Sequence, residues 1–170
     1  HDYYRTCNGS FDSGSNYAWR TSANGGGEAT STSDTRVKST TSTTNPHFHV
    51  LYGSNLSAKE KLFQGNMTQQ ISTGAGTATQ RQEQVFKWAN TSNPLDRFSI
   101  NTLNANTYTT NSEVVVLGWD PADTHTSNFW EELASVDITS GSQMTANFTA
   151  KKYLWIQFYY EASTTSSELF

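Results

Sequence analysis

The chain has 170 residues, of which 15% are charged, a net charge of −4 and one cysteine, Cys7. A chain of this length can bury a core without cross-links, and a lone cysteine excludes an internal disulfide framework. Lysines and arginines are scattered, which argues against a nucleic-acid-binding stripe, and no apolar run reaches the length of a membrane span. Composition therefore predicts one domain over residues 1–170, with no nucleic-acid partner and no membrane insertion.

Short runs of β-branched and aromatic residues recur along the chain, separated by clusters of Gly, Asn, Ser and Thr. This pattern is typical of an all-β fold, and eight strands suit a jelly-roll-like antiparallel β-sandwich. The polar segments Thr21–Thr44 and Ser72–Thr79 are predicted loops. The predicted strands are Tyr17–Ser22, His47–Tyr52, Lys61–Gln69, Glu83–Ala89, Asp96–Thr102, Glu113–Trp119, Gln143–Phe148 and Lys152–Tyr160.

Two polar motifs precede the most apolar part of the chain. Asp12–Asn16 is rich in oxygen atoms that could surround a cation, but a hairpin loop is the better interpretation. His47 and His49 alternate within a predicted strand and therefore point to one face. They could supply two ligands of a metal site, although a surface position is the more common role for such a pair.

Two of the predicted strands are apolar on both faces. In Glu113–Trp119 and Lys152–Tyr160, apolar or aromatic residues occupy alternate positions on either side. Such strands are expected at the centre of a sheet with both faces covered. A neighbouring subunit is one candidate for the cover, and Tyr153, Trp155 and Tyr159 are then the predicted assembly contacts.

The other candidate for the cover is a short helix at about Asn128–Ala134. Asn128 is a suitable N-cap, and Glu131 follows three residues later as in a capping box. Phe129, Trp130 and Leu133 then form an apolar patch at helical spacing. This is the only helix that the sequence predicts.

Asp120 and Asp123 follow a predicted buried strand, with His125 close behind. Carboxylates at a strand end could bind Ca²⁺, which prefers oxygen ligands. A turn in which the Asp side chains cap backbone amides is the more common outcome of an Asp-Pro sequence. Calcium is therefore the only cofactor considered, and the turn is the preferred interpretation.

Catalytic patterns do not emerge from the sequence. No spacing selects a pair of carboxylates, and there is no nucleophile elbow, phosphate loop or His-Glu-x-x-His motif. The prediction is that the protein is not an enzyme.

Five tryptophans are present, and aromatic rings on a β-sandwich can stack against sugars or anchor protein interfaces. Trp119, Trp130 and Trp155 are predicted to lie in the core. Trp19 and Trp88 occupy more polar strands, so they are the predicted exposed residues of a glycan-binding site.

Eight segments of the chain carry a resemblance to a known family: Asn16–Arg20, Ser22–Gly26, Lys59–Leu62, Thr73–Thr77, Arg81–Glu83, Lys87–Ser92, Gly118–Leu133 and Thr149–Gln157. Together they resemble a family of jelly-roll-like β-sandwich proteins of marine tailed phages, which are virion or appendage components. The resemblance implies a structural subunit at the virion surface or in another extracellular setting, whose partners are copies of itself or other virion or filament subunits. It supplies no catalytic residues.

The order of the segments differs from that family in one respect. Family members begin a sandwich unit with a strand similar to Lys151–Tyr160 and continue into a segment similar to Phe11–Arg20, whereas here that strand comes last. The unit is therefore either permuted or completed by a strand shared with a neighbouring subunit. A non-enzymatic structural subunit is the leading functional hypothesis, and a carbohydrate-binding module for host-surface glycans is the alternative.

Overall fold

A computed structural model describes residues 2–38, 45–102, 107–124, 130–138, 141–160 and 162–163. The described chain forms fifteen β-strands. In chain order they are β1 (Asp2–Asn8), β2 (Ser10–Phe11), β3 (Tyr17–Ala23), β4 (Glu28–Asp34), β5 (Val37–Lys38), β6 (His47–Ser54), β7 (Lys61–Gln69), β8 (Gln80–Trp88), β9 (Arg97–Thr102), β10 (Thr107–Tyr108), β11 (Ser112–Trp119), β12 (Glu131–Ile138), β13 (Gln143–Asn147), β14 (Tyr153–Tyr160) and β15 (Ala162–Ser163).

Two antiparallel sheets of unequal width pack together. The wide sheet has eight strands in the order β12-β11-β14-β6-β7-β8-β3-β4. The narrow sheet has the order β13-β9-β1, with the short strands β2 and β5 both paired to the remaining edge of β1. β10 and β15 form a separate two-stranded pair. The predicted all-β antiparallel sandwich is confirmed.

The core lies between the two sheets and is built from alternate residues of each strand. In β7 every second residue is buried and the residues between them are exposed, which is the period of a strand with one face in the core. Tyr4 of the narrow sheet packs against Phe98 at 5.7 Å and against Phe158 of the wide sheet at 5.6 Å between ring centroids. Each fully buried aromatic or aliphatic side chain of this kind contributes roughly 1.5–3 kcal/mol of transfer free energy.

β14 is the third of the eight strands and therefore internal in the wide sheet, as its two apolar faces predict, but no described helix covers its face away from the narrow sheet. It pairs with β11 on one side, where Val116 lies opposite Ile156, and with β6 on the other, where Leu51 lies opposite Ile156. Both of its hydrogen-bonding edges are therefore satisfied within its own chain. The hypothesis that this strand completes a neighbour's sheet loses its support.

The predicted helix at about Asn128–Ala134 is wrong over its described part, because Glu131–Ile138 is strand β12. Asn128 and Phe129 lie outside the described residues. β12 pairs with β11 through a bulge between Val116 and Leu117, and Leu133 is the extra residue at that point. Strand pairing with β11 and packing of Leu133 against the core outweigh the local capping signal.

The predicted polar loop Thr21–Thr44 contains strand β4 and the two-residue strand β5. β3 and β4 form a hairpin, and Asn24 and Gly25 at its turn have φ angles of 53° and 73°. The amide of Gly26 donates to the carbonyl of Ala23 at 2.9 Å, which closes the turn. Two consecutive positive φ angles at Asn-Gly are those of the type I′ turn that favours tight hairpins. The predicted loop Ser72–Thr79, by contrast, has no strand.

Gly65 permits the close approach of β6 and β7. A Cβ atom at this position would lie 2.3 Å from the carbonyl oxygen of Val50 and 2.4 Å from Cδ2 of Leu51. We therefore expect Gly65→Ala to lower the free energy of unfolding by about 2 kcal/mol or more, because the backbone of β6 must move. Urea denaturation measures this. Gly27→Ala is the control, since nothing lies within 4 Å of its Cβ position, and an equal loss in both variants would contradict the account.

Candidate functional site

The face of the wide sheet that points away from the narrow sheet, called here the outer face, contains many of the chain's large apolar side chains. Antiparallel pairing arranges them in rows that cross the strands. The first row runs Trp119, Tyr153, Ser54, Leu62, Lys87 and Ala18. The second row runs Leu117, Trp155, Tyr52, Gln64, Val85, Arg20 and Thr30.

These two rows, apart from Leu117 and Trp155, form the floor of a groove of about 920 Å³, called here the outer groove. It crosses the sheet from Trp119 on β11 to Thr30 on β4, and Trp130 adds a wall at the β11 end. Leu62, Val85 and Tyr52 on its floor are 56%, 49% and 42% exposed, respectively. Apolar side chains of this size and exposure on one contiguous surface mark a binding site more often than an inert surface.

Aromatic contacts fix the rings at the β11 end of the outer groove. Trp119 and Tyr153 stack with centroids 5.3 Å apart and planes 19° apart. Tyr52 leans on Trp155 at 5.4 Å, and Trp130 meets Trp155 edge to face at 5.9 Å. Because each ring packs against another, a ligand would order few side chains on binding.

The charged groups at the outer groove are paired. The Arg20 guanidinium binds the Glu28 carboxylate, and Lys87 Nζ lies 2.8 Å from Glu60 Oε2. All four side chains are 40–57% exposed, so these pairs add little to stability. Arg20 and Lys87 are the charged residues among the described ones that line the groove, and each is neutralised by its partner.

Trp19, predicted to be exposed, is half-buried at the β3 end of the outer groove. Its indole Nε1 donates a hydrogen bond to Asp34 Oδ2 at 3.1 Å, and Asp34 also accepts from Ser31 Oγ at 3.0 Å. The strand alternation places this indole on the core side of β3, opposite to Ala18 and Arg20, where it packs against the core cluster. Trp19 is therefore held in place and does not offer its ring to the outer face.

The predicted exposure of Trp88 is wrong, because this residue is 2% exposed. Its Nε1 donates to Asp12 Oδ2 at 2.6 Å, and Nζ of Lys61 lies 5.7 Å from the ring centroid. Asp12 also accepts from the Gly14 amide, so Asp12–Asn16 is the predicted loop. Asp12, which is distant from Trp88 in sequence, accepts the hydrogen bond of its indole, and the buried ring cannot stack on a glycan.

The prediction that Trp119, Trp130 and Trp155 lie in the core is also wrong. All three are half-buried on the outer face or beside it. The prediction was based on the apolar character of both faces of β11 and β14. An apolar face is equally compatible with burial in the core and with an exposed apolar surface. No helix covers that surface in the described part of the chain.

Asp120 and Asp123 adopt separate roles at the turn after β11. Asp120 Oδ1 accepts from the Ala122 amide at 2.9 Å, as expected for a turn. Asp123 Oδ2 accepts from Lys151 Nζ at 2.6 Å, and Glu131 lies 3.0 Å from the same ammonium. These two carboxylates raise the pKa of Lys151. The contact of Asp120 agrees with the preferred interpretation of a turn, and His125 lies outside the described residues.

His47 and His49 point into the core, not to the surface. His49 stacks on Phe158 at 4.4 Å, and its Nδ1 lies 3.0 Å from the Tyr4 hydroxyl. His47 stacks on Tyr160 at 4.5 Å. Burial lowers the pKa of His47 to about 4 and lowers the pKa of His49 well below its ordinary value. Across the described residues, no group of three or more His, Cys, Asp or Glu is placed to hold a metal ion.

The three predicted assembly residues divide between two places. Tyr153 lines the outer groove, and Trp155 supports Tyr52 at its floor. Tyr159 lies near the far end of β14, opposite Phe48 of β6, where the two side chains are 38% and 43% exposed. Phe48 and Tyr159 thus form a second, smaller apolar pair outside the groove.

Comparisons with protein-family models, with curated proteins and with solved structures found no match. In the part of the chain that the structure describes, no helix is long and apolar enough to cross a membrane. The fold and the outer groove therefore define the class only as an antiparallel β-sandwich with a partly aromatic groove on its wide sheet.

Proposed function

We propose that this protein is a non-enzymatic glycan-binding module that holds its ligand in the outer groove. The observation that supports this most directly is that Tyr52, Tyr153 and Trp119 lie together on the floor of the outer groove. Sugar rings present C–H groups on their faces and hydroxyl groups at their edges. The faces match aromatic rings, whose faces carry negative charge density.

The polar groups at the outer groove suit the edges of a sugar. Gln64, Ser54 and Thr30 line the groove between the aromatic end and the β4 end. Amide and hydroxyl side chains both donate and accept hydrogen bonds, as sugar hydroxyls do. A pocket with an apolar floor and a few convergent polar groups is the usual design of a small-molecule site.

Tyr52→Ala is expected to weaken glycan binding by about fivefold to tenfold, because one stacking ring is lost. The matched control is Phe48→Ala, since Phe48 lies on the same strand and face with nearly the same exposure but outside the groove. Retardation of each variant in native gels that contain polysaccharides measures the effect. Equal retardation of both variants and the wild type, or none at all, would contradict the proposal.

A structural subunit of a virus particle surface or extracellular filament is the second candidate. The exposed pair Phe48 and Tyr159 favours it, because apolar pairs of this kind can seat a second copy or another subunit. Light scattering after size exclusion is the test, with Tyr159→Ser as the variant. A discrete oligomer that Tyr159→Ser dissociates would support assembly through this pair, and a monomer would oppose it. The two functions are compatible, since the pair lies outside the outer groove.

A further inference from the structure

Resting on the proposed function, we propose that the ligand of the outer groove is a neutral polysaccharide that lies across the strands and contacts several sugar rings at once. The proposal excludes sulfated and uronic-acid polymers as the preferred ligands. It is argued from the charges at the groove and from the direction in which the groove runs.

The charge argument concerns Arg20 and Lys87. A site for sulfate or carboxylate presents cations whose charge is free to meet the ligand. Here Glu28 holds Arg20 and Glu60 holds Lys87. The two pairs leave no net positive charge at the groove, and an anionic chain would lie beside two carboxylates. A neutral sugar meets no such repulsion, and its hydroxyl groups can bind both members of each pair.

The length argument concerns the rows of the sheet. The groove spans the strands from β11 to β4, and adjacent strands lie about 4.8 Å apart, so its floor is roughly 30 Å long. A single sugar ring would cover only a small part of this floor. Aromatic rings lie at the β11 end, Leu62 and Val85 lie in the middle, and Arg20 and Thr30 lie at the other end. An extended chain would therefore find contacts along the whole floor.

The test uses gels that contain neutral polymers (β-glucan, mannan, xylan, galactan) or anionic ones (alginate, carrageenan, chondroitin sulfate). We expect retardation by at least one neutral polymer, changing less than about twofold between about 0.05 and about 0.5 M NaCl, because screening acts on charges. For the neutral polymer that binds, calorimetry with its oligosaccharides is expected to show affinity rising to about six rings, the length that fills the floor.

The double variant Glu28→Gln with Glu60→Gln frees both cations and keeps the shape of the side chains. It is expected to gain salt-sensitive retardation by the anionic polymers, at least fivefold above the wild type. If the wild type preferred an anionic polymer and Tyr52→Ala abolished its retardation, the proposal of a neutral ligand would be overturned. The groove would still be a glycan-binding site. If the affinity stopped rising at oligosaccharides of one or two sugar rings, the proposal of an extended ligand would be overturned. Absence of retardation in every gel, or retardation that Tyr52→Ala leaves unchanged, would overturn the glycan function itself.

Discussion

Replacing Trp88 with alanine is expected to lower the free energy of unfolding by about 4 kcal/mol, the usual cost of removing a buried aromatic ring. Trp88 is fully buried beside Lys61, and its indole holds the Asp12 loop through a 2.6 Å hydrogen bond. Urea denaturation of the variant and the wild type measures the difference.

If Trp88→Ala does not fold, Trp88→Phe keeps the comparison possible. It retains most of the ring and loses the hydrogen bond to Asp12, so a loss of about 1–2 kcal/mol is expected. Tyr52→Ala, at a ring in the outer groove, is expected to cost less than about 1 kcal/mol. A similar loss for Trp88→Ala and Tyr52→Ala would mean that the assignment of one ring to the core and the other to the surface is wrong.

Acid is expected to destabilise the fold by about 2 kcal/mol between about pH 7.5 and about pH 5 through His47 alone. Burial lowers the pKa of His47 to about 4 in the folded state, while the unfolded chain has the ordinary value of about 6.5. Between these values the unfolded state binds more protons. Stability is therefore complete above about pH 6.5 and is lost as the pH falls toward 4.

His49 acts in the same direction, because burial and the neighbouring His47 both lower its pKa. Contacts of the two rings include the side chains of Tyr4, Phe158, Tyr160 and Gln69 and the backbone of Asn45. None of them supplies a negative charge near pH 5. Urea denaturation at several pH values measures the effect. The variant His47→Gln with His49→Gln should lose most of the slope between pH 4 and 6.5, and an unchanged slope would refute the assignment.

The strands with strong alternation could be predicted from sequence. Lys61–Gln69 was predicted with its observed bounds, and Lys152–Tyr160 with an error of one residue at its start. In these segments the side-chain period of two is not disturbed by turns or bulges. The internal position of β14 also followed from its two apolar faces.

Segments in which a local sequence signal conflicts with tertiary contacts could not be predicted in this way. The capping pattern around Glu131 favoured a helix, whereas pairing with β11 and the packing of Leu133 over Gly118 decide for β12. The hairpin of β3 and β4 did have a signal, the Asn24-Gly25 pair that suits a type I′ turn. The Ser/Thr-rich composition of β4 concealed it, because that strand is an exposed edge without a hydrophobic pattern.

The outer groove was missed because sequence alternation does not tell which apolar face is inside. β11 and β14 offer Val114, Val116 and Ile156 on one face and Leu117, Trp119 and Trp155 on the other. Only the position of the narrow sheet decides that the first set is core. The larger aromatic residues are left on the second face, and their preference for partly exposed sites with a polar edge is consistent with that outcome.

Hydroxyl-radical footprinting of the protein with and without neutral hexasaccharides of the glucan, mannan and xylan series tests the central claim most directly. The account predicts that at least one of them protects Tyr52, Leu62 and Trp119 from oxidation and leaves Phe48 and Tyr159 unprotected. These two groups of side chains share the outer face, so overall folding affects them alike. Protection of Phe48 and Tyr159 without protection of Tyr52, or protection of neither group by any of the sugars, would contradict it.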